Sequence, residues 1–132
     1  MTPVFADTLF YVALLNRRDE HHAAAVNWAT QQRPTVVTTE FVLLEVANFF
    51  KQPPDRGRFA AFVQNLEDDP DTTIVRCDTD WFRRGLDRFA SRLDKSWSLT
   101  DCISFVVMEQ YALTEALTAD QDFAQAGFTI LL

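Results

Sequence analysis

Short β-branched or apolar runs alternate with longer helical stretches along this chain, and that alternation leaves few folds open. Pro3 to Ala6, Thr35 to Thr38, Thr72 to Arg76, Ala116 to Thr118 and Thr129 to Leu132 read as strands. Between them lie helical patterns. Thr8 to Leu15 is apolar. Asp19-Glu20 opens a second helix running to about Gln32, where Arg33-Pro34 stops it. Thr38 or Thr39 caps a third to about Lys51, ended by Pro53-Pro54, and Asp55 caps a fourth. That fourth helix sets Phe59, Phe62, Val63 and Leu66 on one face. The next, Asp80 to Leu93, does the same with Phe82, Leu86, Phe89 and Leu93. Ser98 caps a helix to about Tyr111, and a brief one starts at Asp122. Strands separated by helices pair in parallel through right-handed crossovers, which predicts a three-layer α/β/α sandwich around a central parallel sheet.

The 132 residues suit a single domain, 1–132. With 48% hydrophobic residues, 12 Phe, and only 3 Gly and 5 Pro, the chain can fill a core, and neither disorder nor a turn-rich β sandwich fits. Cys77 and Cys102 form no CxxC or Cys/His cluster, which argues against a structural zinc site; a lone disulfide is the alternative to reduced thiols, the simpler reading. No basic leader precedes the first apolar run, and charges interrupt every apolar stretch well before the ~18 residues a membrane helix needs, so a cytoplasmic protein is expected.

Four acids stand in unusual surroundings. Asp7 directly follows the first strand, and ligands of open α/β sheets bind beyond the carboxyl ends of strands. Capping the next helix is its alternative role. Glu45 lies in Phe41-Val42-Leu43-Leu44-Glu45-Val46-Ala47-Asn48-Phe49-Phe50, apolar on nearly every side, which predicts a largely buried helix. A carboxylate there is costly unless it is paired or binds a metal. Asp101 opens another apolar helix at capping-box distance from Ser98, a role compatible with facing a metal. Asp120 follows the short strand Ala116 to Thr118, with Asp122 two residues on, and either one can cap the last helix. Asp7, Asp101 and Asp120 fall on one edge of a parallel sheet, and Glu45, about two turns into its helix, has to reach across to join them. Like charges so close need a cation, and a hard divalent ion such as Mg²⁺ or Mn²⁺ suits oxygen ligands and phosphate chemistry.

Other acids need no ligand. Asp68, Asp69 and Asp71 make a solvated loop, and Asp80, Asp87 and Asp94 a helix flank. Asp19-Glu20-His21-His22 looks like a metal box, but adjacent helical residues point to different faces, and acids suit a helix's first turn. Cys102 reads as a small core residue, and Trp28, Trp81 and Trp97 as packing residues rather than base-stacking ones.

The segments Phe5-Ala6-Asp7-Thr8, Thr39 to Ala47, Ser98 to Phe105, Leu117 to Phe123 and Ala126-Gly127-Phe128 resemble, in order and spacing, the PIN domain, and within it the VapC-type toxins of bacterial toxin–antitoxin pairs. The resemblance covers essentially the whole chain. It implies that Asp7, Glu45, Asp101 and Asp120 form a catalytic metal site, with Thr8 at a hydroxyl position that holds a metal-bound water and Asp122 as a possible accessory. Two positions depart from the pattern: Leu9, where a small polar residue is common, and Asp122, where a non-acidic one is usual. The implied activity is an Mg²⁺- or Mn²⁺-dependent endoribonuclease. A water activated by the metal would attack the backbone phosphorus in line, leaving 5′-phosphate and 3′-hydroxyl ends. The implied partners are RNA, a small antitoxin protein and a second copy of the chain in a homodimer. The alternatives are a catalytically weak or inert PIN-fold module that binds RNA or a partner, and a phosphatase or DNase using the same acids.

A net charge of −7 runs against nucleic-acid binding unless metal neutralises some of it and a local basic surface exists. Arg84, Arg88 and Lys95, placed opposite the Phe82/Leu86/Phe89/Leu93 face with Arg92 nearby and Arg83 to one side, are the first candidate surface. Arg56 and Arg58 are a second. An ordinary solvated helix face is the competing account of the first.

Overall fold

The computed structural model describes residues 2–31 and 34–132. In chain order these residues form β1 (Val4–Ala6), α1 (Thr8–Leu15), α2 (His22–Thr30), β2 (Val36–Thr39), α3 (Glu40–Asn48), α4 (Pro53–Asp68) and β3 (Thr72–Val75). There follow α5 (Thr79–Ser91), α6 (Leu99–Gln110), β4 (Glu115–Leu117), α7 (Gln121–Gln125) and β5 (Thr129–Ile130). The strands make one parallel sheet in the order β3-β2-β1-β4-β5, with helices as the crossovers, as the alternation predicts.

This order fixes where a site can be. From β1 the chain steps outward to β2 and β3, then returns to place β4 on the other side of β1 and finishes at β5. The direction of winding therefore changes between β1 and β4, where Phe5 pairs with Ala116 and Ala6 with Leu117. The carboxyl ends of two such strands leave a crevice between diverging connections. Asp7 follows β1 directly, and Thr118 to Asp120 follows β4.

β1 is fully buried, and its ring Phe5 stacks 6.3 Å from Phe123 of α7, which meets Phe105 of α6 edge-on at 5.0 Å. This aromatic chain ties α6 and α7 to the central strand. Truncating a buried Phe of this kind costs about 3–5 kcal/mol. At the far end of α6, Ala112 adopts φ +56°, and Leu113 N–H donates to the Met108 carbonyl, a left-handed helix stop that turns the chain into β4. Gly127 at φ +99° turns α7 into β5.

Several local expectations shift. α2 begins at His22, because Asp19 Oδ1 accepts from the His21 N–H at 2.8 Å and closes a turn before the helix. The expected end of that helix near Gln32 and Arg33 lies outside the described residues. Pro53-Pro54 opens α4 rather than merely ending α3, since proline fits a first helical turn, and Asp55 lies inside that turn instead of capping it. α3 stops at Asn48.

The face of α5 is the largest correction. Phe82, Leu86, Phe89 and Leu93 read as its buried side, yet Phe82 and Phe89 are exposed and Leu93 is 91% exposed. The buried residue is Gly85, beside half-buried Trp81. A Cβ on Gly85 would stand 2.2 Å from Ile103 Cγ1 of α6, so the glycine lets the two backbones approach. Arg84 and Arg88 lie on this inner side. Arg88 Nη2 donates to both carboxylate oxygens of Glu109, and Arg84 Nη2 to Gln110 Oε1 at 3.1 Å. Periodicity found the helix, and a glycine contact with arginine clamps decided which way it faces.

Candidate metal centre

Asp7 occupies the N-cap position of α1, but its side chain makes no capping bond there. Its carboxylate is buried. Oδ2 accepts from Thr118 Oγ1 at 2.9 Å, and Oδ1 has no hydrogen-bond partner among the described residues. A buried carboxylate oxygen left without a donor is expensive, and a ligand there relieves the cost.

Glu45 projects from α3 toward the same strand ends. That helix is one-sided rather than enclosed as expected: Val42, Leu43 and Val46 are buried, while Leu44 and Phe49 are 62% and 57% exposed. α3 packs on α1 and α6 and leaves its outer flank open. Glu45 is half-buried, and its Oε1 accepts from Thr8 Oγ1 at 2.5 Å. Thr8 therefore anchors Glu45 across the gap that its place on α3 has to bridge.

Asp101 is buried at the start of α6 in a complete capping box. Ser98 Oγ accepts from the Asp101 N–H at 3.0 Å, and Asp101 Oδ2 accepts from the Ser98 N–H at 3.4 Å. The cap engages only one of its oxygens, so capping is compatible with facing a metal. Asp120 caps α7 through Oδ1, which accepts from the Asp122 N–H at 2.9 Å, and its own N–H donates to Thr118 Oγ1 at 3.0 Å.

The four acids share one open cleft of about 370 Å³, lined by Asp7, Thr8, Leu9, Glu45, Phe49, Ser98, Asp101 and Asp120. Asp122 does not line it. Its carboxylate nevertheless joins those of Asp101 and Asp120, one oxygen of each lying within 4.8 Å of the others, a compact trio among the described residues that does not include Asp7 or Glu45. Burial pushes the Asp7 carboxyl up to about 7. The charges of Asp101 and Glu45 add to this, and the Thr118 hydroxyl and Thr8 N–H oppose it. Burial likewise brings Asp101 to about 7, with Asp120 and Glu45 raising it further against the Ser98 hydrogen bonds. Burial and the neighbouring Asp120 also raise Asp122. Raised carboxyls, an orphaned buried oxygen and an all-oxygen donor set fit a hard divalent cation.

Sequence reading missed Thr118. Its single hydroxyl donates to Asp7 and accepts from the Asp120 N–H, joining the two strand ends. The available signal was a fully buried-type β-branched residue carrying a hydroxyl two positions before Asp120. Phe49 also lines the cleft unannounced, at the end of α3.

The four basic residues expected to track RNA are largely turned onto the protein itself. Besides the Arg84 and Arg88 bonds above, Arg84 faces Asp80 at 3.8 Å and lies 4.8 Å over the Trp81 ring. Arg92 Nε donates to Asp94 at 3.1 Å and stacks 5.0 Å over Trp97, with Lys95 Nζ 5.8 Å from the same ring. Arg56 donates to the Lys51 carbonyl at 2.9 Å.

The chain compares closely with characterised proteins. The family model described as PIN domain matches residues 4–129. A curated relative, the 23S rRNA-specific endonuclease VapC20 of Mycobacterium tuberculosis, is 29% identical over 129 residues, 95% of each chain. The crystal structure of VapC20 from M. tuberculosis, a sarcin-ricin loop cleaving toxin, superposes with a TM-score of 0.85 at 25% identity, covering 96% of both chains. A toxin–antitoxin complex from Klebsiella pneumoniae superposes at 0.65 with 18% identity, covering 98% of this chain and 96% of that one.

Proposed function

The chain belongs to the PIN-domain family, and from that premise we propose that it is a divalent-metal-dependent endoribonuclease, the toxin of a toxin–antitoxin pair. The observation that carries the reading is the shared cleft of Asp7, Glu45, Asp101 and Asp120, with Asp7 Oδ1 buried and unpartnered among the described residues. The similarity to VapC20 supports ribosomal RNA as the substrate class.

In this reading Asp7, Glu45, Asp101 and Asp120 hold Mg²⁺ or Mn²⁺, and Asp122 supports the Asp101/Asp120 side. When bound, such an ion supplies a water acidic enough to deprotonate near neutral pH and offsets negative charge on the scissile phosphate. The chain's own groups prepare the site. Thr118 fixes one Asp7 oxygen and leaves the other bare. Thr8 holds Glu45, and the Ser98 box holds Asp101. Fixed ligands lose less freedom on binding, which favours a defined geometry over a mobile acidic patch. Protons on Asp7 and Asp101 compete with the ion, so metal binding strengthens as pH rises toward and past about 7.

No helix among the described residues is long and apolar enough to cross a membrane. A small antitoxin and a homodimer belong to the same proposal. The toxin–antitoxin complexes among the structural neighbours support the first. The decisive experiment incubates the protein with ribosomes and total RNA in Mg²⁺, Mn²⁺ or EDTA and maps the ends. Metal-dependent cuts with 5′-phosphate and 3′-hydroxyl termini are expected. Cleavage in EDTA, or 2′,3′-cyclic phosphate ends, would defeat the proposal.

A further inference from the structure

Next to the acidic cleft lies a second one, of about 490 Å³, lined by Val12, Leu15, Asn16, Arg17, Arg18, Phe49, Phe50, Asp55 and Arg58. Phe49 is common to both linings, so the two clefts adjoin at this residue. The second cleft carries three guanidinium groups against one carboxylate. Asp55 lies 3.9 Å from Arg58, whose guanidinium also stacks 5.6 Å over Phe50. Arg17 and Arg18 make no side-chain hydrogen bond or ion pair among the described residues. They follow α1, the helix that begins at Thr8 beside Asp7. Eight residues of helix span about 12 Å, so these arginines sit a few nucleotides from the acids rather than across the molecule.

This contrast singles the cleft out. Arg84, Arg88 and Arg92 are already engaged by the protein's own acids and rings, whereas Arg17 and Arg18 are not. Phe49 is 57% exposed, where an aromatic ring gains nothing from the core. Unpaired guanidinium groups bind phosphate bidentately, and an exposed ring offers a stacking platform for an unpaired base. The acids alone would repel an RNA strand, so a chain of net charge −7 needs such a local basic surface to bring the backbone in.

We propose that the cleft of Arg17, Arg18 and Arg58 carries the single-stranded RNA leading into the acidic site, the arginines holding backbone phosphates and Phe49 stacking the base at the divide. This rests on the ribonuclease reading above and adds the path and strandedness of the substrate. Phe49 and the arginines are positioning and binding residues, distinct from the acids.

The test measures binding of a fluorescein-labelled single-stranded RNA oligonucleotide to the full chain in Ca²⁺ buffer, over a salt series. Wild type, Arg17→Ala/Arg18→Ala, Phe49→Ala and Phe49→Trp are compared. Manganese calorimetry and melting temperature are recorded on each. The double arginine variant should bind RNA at least ten-fold more weakly. Its plot of log K against log salt should be shallower by about 1.4, two phosphates at roughly 0.7 each. Manganese binding and melting temperature should not move. Phe49→Ala should lose several-fold and Phe49→Trp should recover it. Undiminished RNA affinity in the arginine variant overturns the proposal, as does an absence of RNA binding by wild type. So does a variant that keeps RNA affinity but loses a protein partner, since the cleft would then be a protein's seat. Loss of manganese binding in wild type would instead strike the ribonuclease reading itself, which keeps the two failures apart.

Discussion

The Thr118 hydroxyl donates to Asp7 Oδ2 at 2.9 Å, between residues 111 positions apart in the sequence. The parallel pairing of β1 with β4 brings them together, and Thr118 Oγ1 in turn accepts from the Asp120 N–H at 3.0 Å. One buried threonine thus sets the spacing of two acids at the point where the sheet changes direction.

Thr118→Val keeps the shape and removes the donor. Asp7 Oδ2 then joins Oδ1 as a buried oxygen without a donor, and the Asp120 N–H loses its acceptor. The expected cost is about 1–3 kcal/mol of stability. Because the hydroxyl holds the Asp7 carboxyl down, the pH–rate profile should also shift to higher pH. Thr118→Ser should restore the profile. Urea denaturation and a pH series check both, and an unshifted profile in Thr118→Val would refute the positioning role.

The raised carboxyls set the pH dependence of metal-free stability. Asp7 and Asp101 bind protons more tightly folded than unfolded, each with a pKa moved from 3.8 to about 7. Between these values the folded state carries the extra protons, so stability falls as pH rises. The contribution is fully present below pH ~4 and lost as pH passes about 7. Thermal melts in EDTA from pH 5 to 8 should show this decline. Saturating Mn²⁺ should flatten it. Asp7→Asn, uncharged yet able to accept from Thr118, should melt higher than wild type at pH 8 without metal.

Much of this was legible in the chain. Asp7 and Asp120 could be placed because each follows a β-branched or apolar run, and strand ends are where parallel sheets open. Asp101 could be placed from its spacing to Ser98. The orientation of α5 could not, because a period of apolar residues names a face without saying what packs on it. Gly85 decides that by close approach to Ile103, a contact between elements whose relative position only the folded sheet supplies. Thr118 was hidden for a similar reason: a threonine at a strand's end looks like β propensity until Asp7, just past β1, is in place. Arg17 and Arg18, without side-chain partners among the described residues, were passed over because sequence shows charge but not which charges are already paired.

Gly85→Ala tests the α5 packing with an opposite sign from the usual one. Alanine normally stabilises a helix by about 1 kcal/mol over glycine. Here the new methyl would meet Ile103 Cγ1 at 2.2 Å and its Cα at 3.1 Å. Destabilisation of about 1–3 kcal/mol is expected, with part of the loss recovered in the double variant with Ile103→Ala. A stabilised Gly85→Ala would mean that α5 does not sit as described.

Arg84→Ala/Arg88→Ala separates structural clamps from phosphate contacts. Loss of the Glu109 and Gln110 bonds should lower stability by about 1 kcal/mol, since these groups are partly exposed. RNA affinity should change less than two-fold. A ten-fold loss of RNA binding at unchanged stability would return this helix to the RNA surface.

The central claim is that the carboxylate cleft binds a divalent ion, and calorimetric titration of Mn²⁺ into wild type and Asp7→Asn at pH 7.5, paired with thermal melts, tests it most directly. Saturable binding by wild type is predicted, with a melting rise of roughly 10 °C at a hundred-fold excess over Kd and neither effect in Asp7→Asn. Binding of equal strength in both proteins, or in neither, would contradict the account.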